Sequence, residues 1–333
     1  MSNDPSAPDT APVLAAAAAA GVTLHPQAVQ FLALVQHNPP LDTQSAERNR
    51  ADLDAALPLA AGGSALPSVE DALVPGPGGD IAVRVYRPSL AKGLPAVVYA
   101  HGGGWVLADL ELHDGTCRDI AAQSGAVVVA VDYRKAPEHP FPAAFEDCLA
   151  VTEHLLGGGF DVDGSRVALV GDSAGGNLAA ALALQLRGAQ RAPIHQVLMY
   201  PVVAASAGTT ESYVRFAEGF FLTRRDMEYF YDQYAAGCDR QDPRLAPATA
   251  TDLAGSMAAT VVLAEADPLV DEGRAYAQAL VDAGVEVELR IWPGQVHPFV
   301  ALGAFMDDAA EARAYIAGRL ADAFGAVTEP ASE

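Results

Sequence analysis

Gly171-Asp172-Ser173-Ala174-Gly175, continued by Gly176 and Asn177, sets a serine between small residues. An apolar run, Val167–Val170, precedes it and an Ala-rich stretch to about Leu186 follows. A sharp strand-to-helix turn needs small flanks, holds the hydroxyl above a sheet edge, and places a helix N-terminus beneath it. The chemistry this suits is nucleophilic attack on an acyl carbon. A serine hydroxyl needs a base to take its proton, and His297 is the best candidate. It lies in Trp292-Pro293-Gly294-Gln295-Val296-His297, just past an apolar run. His25, His37, His113, His154 and His195 have ordinary loop, helix or strand settings and read as surface or packing residues.

The base in turn needs a carboxylate to set its tautomer and stabilise the imidazolium. Asp267, before Pro268 and after the run Thr260–Ala264, is placed for this. Glu265 and Asp271 are rivals, Asp271 reading better as part of the first turn of the next helix. A tetrahedral intermediate also requires donors for its oxyanion. His101-Gly102-Gly103-Gly104-Trp105 follows the run ending at Ala100, so successive amides can turn toward one point, joined by the amide of Ala174. A plain Gly-rich turn is the alternative. A phosphate loop is disfavoured because no Gly-Lys-Ser/Thr ending follows.

These residues must be held by regular elements. Apolar runs at Ala96–Ala100, Ala126–Val131, Val167–Val170, Val197–Tyr200, Thr260–Ala264 and Val285–Ile291 alternate with helix-like segments. Such runs suit parallel strands buried on both faces and joined by right-handed crossovers. Before them, Ser68–Val74 and Ile81–Arg87 flank Pro75-Gly76-Pro77-Gly78-Gly79-Asp80, which reads as an antiparallel hairpin. Residues 1–12 read as a frayed tail, Pro26 to about Leu57 as helical with a break at Pro39-Pro40, and Met306 to Phe324 as a final helix. The interval Val203–Gly237 interrupts the rhythm and is rich in Tyr and Phe. An insertion there belongs over the strand C-termini, where ligands bind. The alternative is that its aromatics pack on the main domain.

The 333 residues carry 20 Lys and Arg against 42 Asp and Glu, a formal charge of −22. Such a chain repels phosphate backbones and anionic headgroups, so nucleic acid and membrane surfaces are not expected partners. Only Lys92 and Lys135 are lysines. A salt-adapted surface fits this, as does a plain coding bias toward Ala, Arg and Asp. Cys117, Cys148 and Cys238 lack metal-ligand spacing and read as free thiols of a reducing compartment. The Ala15–Ala20 run lacks the basic flank of a signal peptide. No run approaches the roughly 18 apolar residues of a membrane span. A cytoplasmic location is expected.

The order Ser173, Asp267, His297 is that of the α/β hydrolases. The elbow, the His101–Gly104 run, Asp267-Pro268-Leu269 and His297 together resemble the bacterial hormone-sensitive-lipase-like carboxylesterases. So do Asp132-Tyr133-Arg134-Lys135-Ala136-Pro137-Glu138-His139-Pro140-Phe141-Pro142-Ala143-Ala144, Tyr200-Pro201 and Asp242-Pro243-Arg244. The resemblance implies an α/β-hydrolase fold with a small helical cap and residues 58–202 and 238–333 as catalytic domain. Residues 1–57 and 203–237 would supply the cap. It further implies Gly103, Gly104 and Ala174 as oxyanion donors, with Gly102 shaping the turn and His101 pinning it. Trp105, Tyr213, Phe220 and Phe221 are the candidate pocket walls. Esters of short to medium acyl chains are the implied substrates, without metal or cofactor, and homodimers occur in the family. Two departures stand out: Pro298 replaces the usual Gly after the histidine, fixing φ and removing a donor, and Lys135 stands where Leu is common. The same machinery serves lactones, carbamates or amides. Ligand receptors on this scaffold tend to lose the histidine, which is present here.

Overall fold

The computed structural model describes residues 8–204 and 207–326. The expected hairpin forms from β1 (Ser68–Gly76) and β2 (Gly79–Arg87). Gly76 pairs with Gly79, so the strands run further into the glycines than expected and only Pro77-Gly78 remains as the turn. Six further strands follow: β3 (Leu94–Ala100), β4 (Val127–Val131), β5 (Val162–Asp172), β6 (His195–Met199), β7 (Ala258–Ala266) and β8 (Val287–Val296). The eight-stranded sheet has the order β1-β2-β4-β3-β5-β6-β7-β8, antiparallel as far as β4 and parallel from there on.

The helices are α1 (Ala11–Ala20), α2 (Pro26–Val35), α3 (Ala46–Leu53), α4 (Leu57–Ala60), α5 (Leu110–Ser124), α6 (Ala143–Leu156), α7 (Ala174–Leu186), α8 (Glu211–Arg215), α9 (Arg224–Tyr234), α10 (Val270–Asp282) and α11 (Asp307–Ala326). From β3 the chain steps one way to β4, then back across to β5. With right-handed crossovers this reversal sends α5 and α6 to opposite faces. It also opens a switch point between the C-terminal ends of β3 and β5, where an α/β sheet receives ligands. The Gly-rich loop and the serine turn both leave the sheet at that point. β3 and β4 bury nearly every residue, as strands covered on both faces must.

Two segments depart from expectation. The part of the supposed tail from Ala11 onward is helical: α1 starts with Pro12 in its first turn, ends at Gly21 in the left-handed region (φ 66°), and buries Val13 and Ala17. Residues 1–7 of that tail lie outside the described residues. β8 continues through Pro293-Gly294, with a register shift between Ala264↔Trp292 and Ala266↔Val296. Proline is tolerated there because β8 is an edge strand.

α1–α3 pack against α8, α9 and their connections. Phe31 meets Phe221 at 5.1 Å, Arg215 donates to the Ala20 carbonyl at 3.0 Å, and Asp42 pairs with Arg225 at 2.8 Å. The Asn49 amide donates to the Tyr229 hydroxyl at 3.3 Å. Arg50 ties this layer to the Gly-rich loop, donating to the Val106 and Ala136 carbonyls and pairing with Glu138. No helix among the described residues is long and apolar enough to cross a membrane.

Candidate active site

Ser173 stands between β5 and α7 with φ 55° and ψ −117°. A non-glycine residue there is strained, and such strain persists only where the surroundings enforce it. They do so here. The Ser173 amide donates to the Met199 carbonyl at 2.9 Å, while Gly175 lies so close to the end of β3 that a Cβ would overlap the Ala100 carbonyl. The side chain is left at the sheet edge, at the N-terminus of α7.

His297 follows β8 directly, and Asp267 follows β7. Their side chains meet, with Nδ1 2.9 Å from Asp267 Oδ2. The other carboxylate oxygen accepts the Leu269 amide at 2.9 Å, and Asp267 is fully buried. This fixes the carboxylate and assigns the Nδ1 proton, leaving Nε2 as the basic nitrogen. Tyr200 packs edge-on against the imidazole, ring centroids 4.7 Å apart. The rivals face elsewhere: Glu265 accepts the Gly294 amide at 2.7 Å and Asp271 the Ser212 amide at 2.8 Å. The His297-Pro298 peptide is cis, and His297 keeps its contact with Asp267. No hydrogen bond joins Ser173 Oγ to His297 among the described residues. In unliganded sites such bonds are often long and tighten with substrate.

The Gly-rich loop returns over the elbow. Gly103 and Gly104 have φ 107° and 61°, which a side chain would oppose, and a Cβ on Gly104 would strike the Phe230 ring. Among the described residues the amides of Gly103, Gly104 and Ala174 donate to no protein acceptor, whereas the Gly102 amide donates to Asp172 Oδ1 at 2.9 Å. His101 is buried. Its Nδ1 lies 2.7 Å from the Gly102 carbonyl, so that nitrogen carries the proton. Tyr133 stacks on the ring at 4.3 Å and donates to the His101 carbonyl. Burial, aided by the charge of Lys135, holds His101 well below the ordinary histidine range. Lys135 itself is half-buried and pairs with Asp132 at 2.7 Å.

The candidate pocket aromatics lie on the Gly-rich loop and in the insertion. Trp105 is fully buried and stacks on Tyr234 at 4.6 Å, and its carbonyl accepts the Ala136 amide. Tyr213 is buried, as is Phe220, which packs edge-on against Phe216 at 4.9 Å. Phe221 is exposed at the outer edge, against Phe31. The ring that presses on the Gly-rich loop is Phe230, one of several aromatics in the insertion that spacing alone does not single out.

Beneath the loop lies a buried group that sequence reasoning missed. Asp172 accepts from Tyr99 at 2.9 Å as well as from Gly102, and faces His113 Nε2 at 3.3 Å. A further buried carboxyl, Glu272, receives the amides of Val203 and Ala204 at 2.8 and 3.3 Å. Burial pushes it up to about 8.

Residues 97–301 match the α/β-hydrolase fold family. Carboxylic ester hydrolase LipN of Mycobacterium tuberculosis (strain ATCC 25618 / H37Rv) is 43% identical over 244 residues, which span 70% of this chain and 65% of that protein. Ethyl acetate hydrolase of Pseudomonas putida is 38% identical over 307 residues, 87% of this chain and 96% of that one. An ester hydrolase from the metagenome of Lake Arreo, solved with a bipyridine phosphonate derivative, superposes with a TM-score of 0.87 at 37% identity, covering 91% of this chain and 100% of that one. The chain therefore belongs to the α/β-hydrolase family, among its hormone-sensitive-lipase-like carboxylesterases.

Proposed function

We propose that this protein hydrolyses carboxylic esters of short to medium acyl chains through an acyl-enzyme on Ser173. The reading rests on one observation: the strained serine turn, the buried Asp267–His297 pair and three amides without a protein acceptor among the described residues leave the same edge of one sheet. Ser173 Oγ attacks the ester carbonyl while His297 Nε2 takes its proton. The carbonyl oxygen becomes an oxyanion held by the amides of Gly103, Gly104 and Ala174, with the α7 N-terminus adding to the field. Collapse expels the alcohol, to which His297 returns the proton. A water activated by His297 then attacks the acyl-enzyme and releases the acid. Asp267 stays ionised, orienting the imidazole and stabilising its charged form.

In this reading residues 58–202 and 238–333 form the catalytic domain, with residues 1–57 and 203–237 as its cap. Phe230 and Trp105 would bound the substrate space beside the Gly-rich loop. Tyr213 and Phe220 would act through the shape of the insertion, and Phe221 through its seam with α2. The name of the Pseudomonas putida relative favours small acyl and alcohol groups. Buried free thiols at Cys117 and Cys148 favour a reducing, cytoplasmic setting. The test is Ser173→Ala assayed on p-nitrophenyl esters from acetate to long acyl chains. Loss of all turnover with unchanged thermal unfolding is expected, and retained turnover refutes the mechanism. A wild-type optimum at long chains would refute the substrate class.

A further inference from the structure

Both ring nitrogens of His113 face acceptors. Nδ1 lies 3.2 Å from the Asp109 carbonyl and Nε2 lies 3.3 Å from Asp172 Oδ2. A carbonyl and a carboxylate can only accept, so the imidazolium is the form that satisfies both contacts. His113 and Asp172 are each almost wholly buried, and removing one member of such a pair strands the other's charge. Burial alone would push His113 down, but the charge and hydrogen bond of Asp172 outweigh it and hold the histidine above its ordinary range. Burial would likewise raise Asp172, and the same pairing brings it below the usual carboxylate range.

Asp172 precedes the serine in the chain, yet its other oxygen accepts the Gly102 amide from across the switch point. The carboxylate thus joins the elbow to the Gly-rich loop, next to the two glycines whose amides are free. A Cβ on Gly102 would overlap this carboxylate, so the approach leaves no slack.

We propose that His113 is a positioning residue of the reaction: it holds Asp172 against the Gly102 amide and thereby aims the Gly103 and Gly104 amides at the oxyanion. This rests on the assignment of those amides under Proposed function. His113 touches neither substrate nor reacting atoms, so its removal acts on the transition state and leaves ground-state binding largely intact.

The experiment compares wild type, His113→Phe, His113→Gln and Asp172→Asn on p-nitrophenyl butyrate, with kcat and KM determined separately. Inhibition by phenylboronic acid, whose serine adduct places an oxygen among the oxyanion donors, is measured alongside. His113→Phe is expected to lower kcat about 10- to 100-fold with KM within twofold, a fraction of what losing a whole donor costs. The boronate should weaken in proportion. His113→Gln can still donate toward Asp172 and should recover most of the loss. A His113→Phe enzyme within twofold of wild-type kcat overturns the proposal, as does a fall in kcat with unchanged boronate inhibition. If His113→Phe does not fold, Asp172→Asn decides: at least a fivefold loss of kcat at constant KM is expected, and wild-type kcat overturns the proposal. Ser173→Ala separates the two readings. An inactive Ser173→Ala beside a fully active His113→Phe sinks only the role of His113, whereas an active Ser173→Ala sinks the reaction itself.

Discussion

Glu272→Gln tests the buried carboxyl that anchors the start of the insertion. In the folded protein the side chain is held by the Val203 and Ala204 amides in an interior site, and burial raises it from 4.5 to about 8. Between these values the folded protein keeps a proton that the unfolded chain has lost. The unfolded state binds fewer protons there, so stability falls as pH rises. The contribution is fully present below pH 4.5 and is lost as pH passes through about 8. Each pH unit inside that window is worth about 1.4 kcal/mol, which amounts to about 3–4 kcal/mol between pH 5 and pH 8. Glutamine retains an oxygen to accept the two amides and does not titrate. Urea unfolding of both proteins at pH 5, 6, 7 and 8 should therefore show Glu272→Gln gaining on wild type by that amount over the range. The difference cancels every other group the two proteins share. Parallel stability curves, or a variant that loses ground as pH rises, would refute the reasoning.

In Asp267→Asn the Leu269 amide claims the carbonyl oxygen and turns an NH2 donor toward His297 Nδ1, which favours the wrong tautomer and should lower kcat on p-nitrophenyl butyrate by about 10³–10⁴. A loss below tenfold would remove Asp267 from the mechanism. Trp105→Ala removes a fully buried indole stacked on Tyr234 and should cost about 3–5 kcal/mol in urea unfolding, and an unchanged midpoint would contradict the packing. With a formal charge of −22, screening should relieve repulsion between carboxylates, so the unfolding temperature should rise from low to molar NaCl. A flat or falling curve would speak against a salt-adapted surface.

Much of the fold was legible because buried parallel strands leave short apolar runs, and each expected run coincides with a strand. Asp267 and His297 could be assigned to strand ends because each lies a few residues beyond such a run, and β7 and β8 extend to meet them. What stayed hidden depends on tertiary neighbours. His113 occupies an ordinary helical position, and the partner that gives it meaning lies 59 residues away. Asp271 and Glu272 look alike in sequence, yet one turns to the Ser212 amide and the other into the interior. α1 is hidden because an Ala run also has the look of an export signal, although alanine is the strongest helix former and Gly21 stands ready to end the helix. The extension of β8 through Pro293-Gly294 shows the same limit. An edge strand tolerates a proline, and edge position is a property of the sheet.

The long reach of the N-terminal helices bears on how the protein is made. His25 donates to the Gly294 carbonyl, Arg215 donates to Ala20 across 195 positions, and the Asp307 amide donates to Gln27 across 280. On a chain growing from its N-terminus, α1 and α2 leave the ribosome before the surfaces they rest on exist. The sheet and its flanking helices can assemble first, through contacts nearer in sequence, while the leading helices wait for β8. These helices are then among the last parts of the fold to dock, although they are translated before every strand they rest on.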